Sequence, residues 1–160
     1  MAVAMAMYRI AGQSACPELD CLRDRLSPAL IAAAEQRSAA TGVGADRALI
    51  AAGIISEEAY LAALTAHLGI AFEPLDDVPR HACDPDDKRL LDAAAHGVLP
   101  LGEGDRFVVA PRNLAARNLT ERVYRGAKLA PKISLTTEER LQAFVARHAA
   151  HTIARRATDA

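Results

Sequence analysis

Apolar residues recur along much of this chain at the three- and four-residue spacing that is typical of amphipathic helices. The first clear example runs from Ala29 to Ala40, where alanine predominates. Ser27 and Pro28 precede this run as an N-cap and a first-turn residue, and Gly42 follows it as a stop signal. Together these signals predict a helix over residues 29–40.

A second predicted helix is short, because Asp46 can cap its start and Gly53 can take the left-handed conformation that ends it after Ala52. Ser56 can then cap a third helix, whose first turn holds two glutamates near the positive end of the helix dipole. Its apolar residues share one face, which we expect to be buried: Tyr60, Leu61, Leu64 and Leu68.

Two stretches carry weaker patterns. Residues 1–25 are predicted to be weakly structured, with a short helix from Pro17 to Leu22. Residues 71–87 contain three prolines and five aspartates, which favours an extended connector. The predicted organisation is therefore an N-terminal segment over 1–25, a helical subdomain over 26–70, a connector over 71–87, a second subdomain over 88–150 and a tail over 151–160.

The second subdomain is predicted to open with a helix that Asp86 or Asp87 caps and that runs through Ala95. Two apolar segments then flank the glycine-containing turn at 102–105, and this arrangement is typical of a β-hairpin. The two strands of the hairpin are predicted at Val98–Leu101 and Arg106–Ala110.

The rest of the pattern predicts a helix, a strand and a last helix. Asn113 can cap the first helix, which runs to Tyr124, and Ile133–Leu135 is short and β-like. Thr136 and Glu139 form a capping box for the last helix. Four residues share a face of that helix: Leu141, Phe144, Val145 and His148. The predicted fold class is α+β, with three to four helices followed by a small ββαβα half.

Composition and charge narrow the range of functions. The chain has 160 residues, of which 51% are hydrophobic, and 19 basic residues balance 20 acidic ones. A net charge of −1 gives no general attraction for nucleic acid or for anionic lipid. No run approaches the roughly 20 apolar residues of a membrane helix, so we expect no membrane insertion. Three cysteines suit reduced thiols, so we expect a cytoplasmic location, or the inner face of the membrane through a parent protein.

Candidate chemistry is sparse. Cys16 and Cys21, together with His81 and Cys83, have the residue types of a zinc site, but their spacing matches no standard motif. The aspartates at 84–87 are better explained as helix caps than as cation ligands. No glycine-rich phosphate loop and no nucleophile with a nearby base is present. We therefore predict no catalytic residue, no metal site and no cofactor.

Basic residues concentrate around the helix predicted after Asn113. A solvated helix face is the default explanation, and a docking surface for an acidic partner is the functional one. The residues are Arg112, Arg117, Arg122, Arg125, Lys128 and Lys132.

The helical part also contains a possible duplication. Superposing Ser27 on Ser56 also places Ile31 on Tyr60, but the same shift places Asp24 on Gly53. A degenerate repeat is therefore one interpretation, and chance similarity between alanine-rich helices is the other.

Several motifs, in order, resemble a known domain. They are Gly53–Glu58, Leu64–Phe72, Val98–Leu101, Gly104–Pro111 and Ile133–Glu139. In this order they resemble the N-terminal, MshEN-like domain of type II secretion and type IV pilus assembly ATPases, which also occurs at the front of some bacterial family 2 glycosyltransferases. The similarity extends over residues 26–149.

This resemblance implies a non-catalytic regulatory or docking domain at the N-terminus of a larger bacterial protein. The run from Arg23 to Gln36 and the segment Thr41–Arg47 look more like the glycosyltransferase branch than the ATPase branch. The implied partners are other domains of the same polypeptide or a protein of a membrane assembly.

Some members of this family bind cyclic di-GMP through two copies of a pattern that opens with Arg-Leu-Gly and closes with Gln. Here Gly44, Ala45 and Asp46 stand at the opening of the second copy and His67 stands at its close. Loss of the arginine removes an anion contact, and a carboxylate would repel the ligand, so cyclic di-GMP sensing is the alternative function. If the ligand binds, the resemblance implies contacts from Ala45, Asp46, Leu49, Gly53, Tyr60, Leu64 and His67.

Overall fold

The computed structural model describes residues 14–159, and it describes only the backbone of residues 151, 152 and 156. These residues divide into two compact units. The helical unit comprises the described residues up to Leu68 together with Arg112–Lys128, and the mixed unit comprises Gly69–Pro111 together with the residues from Leu129 onward. Helices and a four-stranded sheet are both present, which confirms the predicted α+β class.

The helical unit contains a 3₁₀ helix at Pro17–Leu22 and the α-helices α1 at Pro28–Thr41, α2 at Ala45–Ala51, α3 at Glu57–Leu68 and α5 at Ala115–Tyr124. The mixed unit contains β1 at Ala71–Phe72, a 3₁₀ helix at Arg80–Ala82, α4 at Asp87–His96, β2 at Val98–Leu101, β3 at Arg106–Val109, β4 at Ile133–Leu135 and α6 at Glu138–Asp159.

The starts of α1 and α3 follow the predicted caps. The hydroxyl of Ser27 accepts a hydrogen bond from the Leu30 N–H at 3.3 Å, and that of Ser56 accepts one from the Ala59 N–H at 3.1 Å. These are the two serines that the possible repeat superposes, so the same capped-helix start recurs at the spacing of that repeat. Duplication itself stays a prediction.

Three other predicted caps are wrong by one or two residues. Asp46 lies inside α2, whose N-cap is Gly44, and Asn113 has a positive φ of 52° and precedes the N-cap of α5. For α6 the capping hydroxyl belongs to Thr137, which accepts from the Arg140 N–H at 3.1 Å. In each case a residue with capping chemistry stands near the helix start, but tertiary contacts set the start elsewhere.

The N-terminal segment predicted to be weakly structured contributes to the core of the helical unit. Leu19 and Leu22 on its 3₁₀ helix are fully buried, and so is the carboxylate-bearing Glu18. The prediction underestimated this segment because six residues of 3₁₀ helix are too short to show a clear apolar period.

Helix α5 was expected within the ββαβα half, yet it belongs to the helical unit. It packs against the first 3₁₀ helix, and two of its residues, Ala116 and Leu119, are buried at 1% and 8% exposed. The helical unit is therefore completed by a segment that follows the hairpin in sequence.

The sheet of the mixed unit has the strand order β1-β4-β3-β2. The predicted hairpin is confirmed, because β2 and β3 pair antiparallel from Val98 with Val109 to Leu101 with Arg106. Strand β4 lies between β3 and β1 and is parallel to both. Part of the predicted connector at 71–87 is thus a strand, which the two-residue length of β1 concealed.

Helix α6 contributes buried side chains to the hydrophobic core of the mixed unit. Leu141 and Phe144 are fully buried, as the shared face predicted, and Val145 is 3% exposed. The backbone at Ala149 is not helical, and a further helical stretch follows this kink and extends to Asp159. The predicted tail at 151–160 stays a prediction.

Candidate functional site

An open groove lies between α1 and α2 in the helical unit and encloses about 410 Å³. Eight of its nine lining residues are apolar, and five of those are alanines. Helix α1 contributes one continuous face at helical spacing, and α2 contributes the opposite wall. The lining residues are Leu30, Ala33, Ala34, Arg37, Ala48, Leu49, Ala51, Ala52 and Ile54.

Two large apolar side chains of the groove remain at the surface. Leu30 is 36% exposed and Ile54 is 41% exposed, whereas Leu49 at the base of the groove is 3% exposed. Both side chains line the same groove, so their exposed surfaces face one opening, as the apolar walls of a binding cleft do.

Arg37 is the charged residue of the groove lining. It is exposed, and none of the side chains that the structure describes forms an ion pair with its guanidinium. The neighbouring cation on α2, Arg47, is instead paired with Glu57 at 2.9 Å. The groove therefore combines an apolar floor with one positive charge on an exposed side chain.

A buried ion pair fixes α2 and α5 around the first 3₁₀ helix. The Glu18 side chain has no exposed surface, and Arg117 approaches it to 2.7 Å while 21% of the arginine side chain stays exposed. Arg117 also donates to the Ser38 hydroxyl at 2.8 Å, and the Ala45 N–H donates to Glu18 Oε1 at 3.0 Å. This pair holds the first residue of α2, so it positions one wall of the groove.

The sequence pattern does not indicate this role of Arg117, which we expected in a solvated basic face or in a docking surface for an acidic partner. Glu18 and Arg117 lie near opposite ends of the helical unit in sequence, and neither residue shows a local motif. Only the three-dimensional packing of α5 identifies the pair.

The residues implied in cyclic di-GMP contact are divided between core and surface. Ala45, Leu49, Tyr60 and Leu64 are buried, and the Tyr60 hydroxyl donates to the Glu18 carbonyl at 2.7 Å. Gly53 is exposed with a φ of 71°, as its predicted role in ending α2 requires. Four of the buried residues therefore have roles in packing the helical unit. The assignment of the whole set to a ligand stays a prediction.

His67, at the closing position of the pattern, lies on the surface. Its Nε2 is 2.8 Å from the Tyr124 hydroxyl, which donates to Asp20 Oδ2 at 2.7 Å. Burial and the hydrogen bond to Asp20 both raise the pKa of Tyr124, so the phenol stays protonated at neutral pH. The imidazole thus joins α3 to α5 through a hydrogen-bond chain.

Asp46 is the unusual residue of this region. It is 1% exposed, and neither carboxylate oxygen has a hydrogen-bond partner of good geometry. Burial, and then the negative charge of Glu18, raise the pKa of Asp46 to about 6, while Arg47 opposes the shift. A carboxylate held in this way resists ionisation and contributes no exposed charge.

Gly44 occupies a position with no room for a side chain. A Cβ atom there would lie 2.5 Å from the Asn113 carbonyl oxygen and closer still to Asp46 Oδ1. The arginine that opens the cyclic di-GMP pattern therefore could not replace Gly44 without movement of the backbone.

The cysteines are buried in separate places. Cys16 and Cys21 lie in the helical unit and Cys83 lies in the mixed unit, all as free thiols. Burial raises the pKa of Cys21 to about 12, which makes this thiol a poor nucleophile. Across the described residues, no three histidine, cysteine or acidic side chains cluster as metal ligands would.

Comparison with known proteins rests on structure. The chain matches no protein-family model and no curated protein. A solved structure of MshE with cdg (cyclic di-GMP) superposes with a TM-score of 0.58 and covers 82% of this chain and 97% of that chain, at 20% identity. This chain has an MshEN-like fold.

The MshEN-like fold agrees with the motif order found in the sequence, so the predicted resemblance is confirmed at the level of fold. Ligand binding by MshE is a property of that protein, since 20% identity does not carry site residues across. No described helix of the present MshEN-like fold is long and apolar enough to cross a membrane.

Proposed function

We propose that this chain is a non-catalytic regulatory domain that docks a partner in the groove between α1 and α2. The domain would stand at the N-terminus of a larger bacterial protein, a family 2 glycosyltransferase or a type II secretion ATPase. Its partner would be another domain of that polypeptide or a protein of a membrane assembly.

The open apolar groove carries this proposal. Leu30 and Ile54 are exposed at 36% and 41%, so they contribute little to the core and would lose water on contact with a partner. Burial of apolar area is the usual source of affinity, at about 25 cal/mol per Å² before the costs of association are subtracted.

The charged residues near the groove support a binding role rather than chemistry. Glu18 and Arg117 neutralise each other, and Asp46 has no polar partner with which to move a proton. A general acid or base needs a substrate-accessible partner in line with it, and these buried groups lack that access.

Photo-cross-linking in cells of the source organism tests the proposal. A benzophenone amino acid at Ala51, on the groove wall, is compared with the same residue at Ala66, an exposed alanine of α3 outside the groove. We expect an adduct from position 51 that disappears in Leu30→Gln and no adduct from position 66. Equal cross-linking from both positions, or none from position 51, contradicts docking in the groove.

Cyclic di-GMP sensing is the second candidate, favoured by the similarity to MshE solved with that ligand and by the capped helix start that recurs at the spacing of the possible repeat. The crowded Gly44 position and the buried Asp46 weigh against it. Calorimetric titration with cyclic di-GMP, with GTP as a control, tests directly whether the chain binds this ligand. Saturable heat and a rise in melting temperature at micromolar ligand would establish sensing, because a ligand bound only by the native state must stabilise it.

A further inference from the structure

We infer that the occupant of the groove is an amphipathic α-helix that carries an acidic residue, whose carboxylate pairs with Arg37. This inference rests on the proposed docking function and specifies the chemistry of the partner.

The walls of the groove favour a helix over an extended peptide. Both walls are α-helices whose backbone groups are already hydrogen-bonded, so they offer no sheet edge for strand addition. Alanines at 33, 48, 51 and 52 let another helix approach closely, because their side chains are short. A helix that inserts its apolar stripe fits this geometry.

The spacing along α1 indicates how long the contact is. Leu30, Ala33 and Arg37 lie at positions i, i+3 and i+7, so the groove extends along about two helical turns. A partner helix would match it with apolar residues at the same spacing. Since Leu30 and Arg37 mark opposite ends of this stripe, the acidic residue of the partner should lie at one end of its own stripe.

The positive charge of Arg37 in the groove lining favours a partner with a negative charge at that place. Arg37 forms no ion pair with any side chain that the structure describes, and the other lining residues are apolar. A carboxylate would form a charge-assisted, potentially bidentate pair with the guanidinium at the margin of an apolar contact. A basic residue in the same place would be repelled and would leave Arg37 without compensation.

A displayed library of helical peptides tests the inference on the full chain. The library keeps a helix-forming frame and randomises the residues of one face, and it is selected in parallel on the wild-type chain and on three variants. Arg37→Glu reverses the groove charge, and Ala51→Trp fills the groove. Arg106→Glu is the matched control, at an exposed arginine of β3 that belongs neither to the groove lining nor to the basic cluster around α5. Circular dichroism verifies that each variant is folded.

We expect selected peptides with aliphatic residues at i, i+3 or i+4 and i+7 and an Asp or Glu at one end of the stripe. Their affinity should fall about tenfold on Arg37→Glu, which corresponds to roughly 1.4 kcal/mol. It should be unchanged on Arg106→Glu and lost on Ala51→Trp. A peptide with Lys in place of the acid should recover binding to Arg37→Glu.

Each negative result of the selection contradicts a different part of the proposal. Peptides that are lost on Ala51→Trp but unaffected by Arg37→Glu would overturn the acidic partner and leave docking in the groove intact. Binding to the groove that survives a proline placed in the middle of a selected peptide's helical frame would overturn the helical partner. Absence of any enriched peptide, or binding that survives Ala51→Trp, would overturn both the inference and the proposed docking function.

Discussion

Glu18 is a carboxylate with no solvent contact, held by the guanidinium of Arg117 and by the Ala45 N–H. Removing one partner of such a pair leaves an uncompensated charge in the core, which costs more than the pair itself contributes. The stability of the helical unit should therefore depend on Arg117 more strongly than on any exposed arginine.

Arg117→Met should lower the free energy of unfolding by about 3–5 kcal/mol, because it leaves Glu18 buried without its counter-charge. Met retains most of the side-chain volume, so the change reports mainly the lost charge. Urea denaturation measures the change. Arg122→Met, at an exposed site of the same helix, should stay within about 0.5 kcal/mol. Equal effects of the two substitutions would show that the buried pair is unimportant.

Asp46→Asn should stabilise the chain at pH 7, since Asn keeps the shape of the side chain without the charge. The pKa of Asp46 is about 6 in the folded chain against 3.8 for the ordinary group, so the folded state binds its proton more tightly than the unfolded state does. Stability from this residue is therefore present below pH 4 and is lost as the pH rises to about 6.

The difference in stability between Asp46→Asn and the wild type should accordingly grow between pH 4 and pH 6 and then level off. Two pKa units correspond to a gain of at most about 3 kcal/mol at neutral pH. Thermal melts across this range measure it. A difference that does not change with pH would mean that Asp46 titrates normally.

At the scale of elements, the predictable features were those with a local cause. Ser27 and Ser56 cap their helices as expected, because a hydroxyl next to the first turn satisfies a backbone N–H regardless of the rest of the fold. Asp46 and Asn113 have the same capping chemistry, but neither caps its helix. Helix α2 begins before Asp46, where Gly44 is closely packed, and α5 begins after Asn113, whose φ is positive.

Ser56→Ala should lower the free energy of unfolding by about 1 kcal/mol through loss of the cap on α3. Ser56→Thr, which keeps the hydroxyl, should restore most of that loss. Hydrogen exchange of the Ala59 amide reports the cap directly, since this N–H donates to the serine. Unaltered protection of that amide in Ser56→Ala would contradict the assignment.

The candidate site was predicted less well than the fold. The pattern identified Gly53 as the end of α2 and Tyr60 and Leu64 as a buried stripe, and these local roles hold. The groove was not foreseen, because it depends on which faces of α1 and α2 stay uncovered. Arg37 has no sequence feature that separates it from other exposed arginines.

At the scale of the whole molecule, the two units are not successive in the sequence. The helical unit takes α5 from beyond the hairpin, although periodicity placed this helix in the second half. Long-range pairing is invisible to local patterns, and the same is true of β1, which pairs with β4 although the hairpin and α5 lie between them in the sequence.

A fragment that ends at Leu68 should not fold cooperatively, because it lacks α5 and leaves Glu18 buried without Arg117. The same fragment joined through a flexible linker to residues 112–128 should regain a cooperative thermal transition. Circular dichroism melts compare the two. A sharp transition in the shorter fragment would show that α5 is dispensable.

The late position of Arg117 also has a consequence for synthesis. The ribosome translates Glu18 long before Arg117, so the buried carboxylate of the N-terminal helices has no counter-charge until α5 has been made. For the same reason, gene recombination with a breakpoint near residue 70 should give an unstable product. The segment that ends there encodes Glu18 without Arg117, its counter-charge. The region is therefore expected to be inherited and exchanged as one piece through at least residue 128.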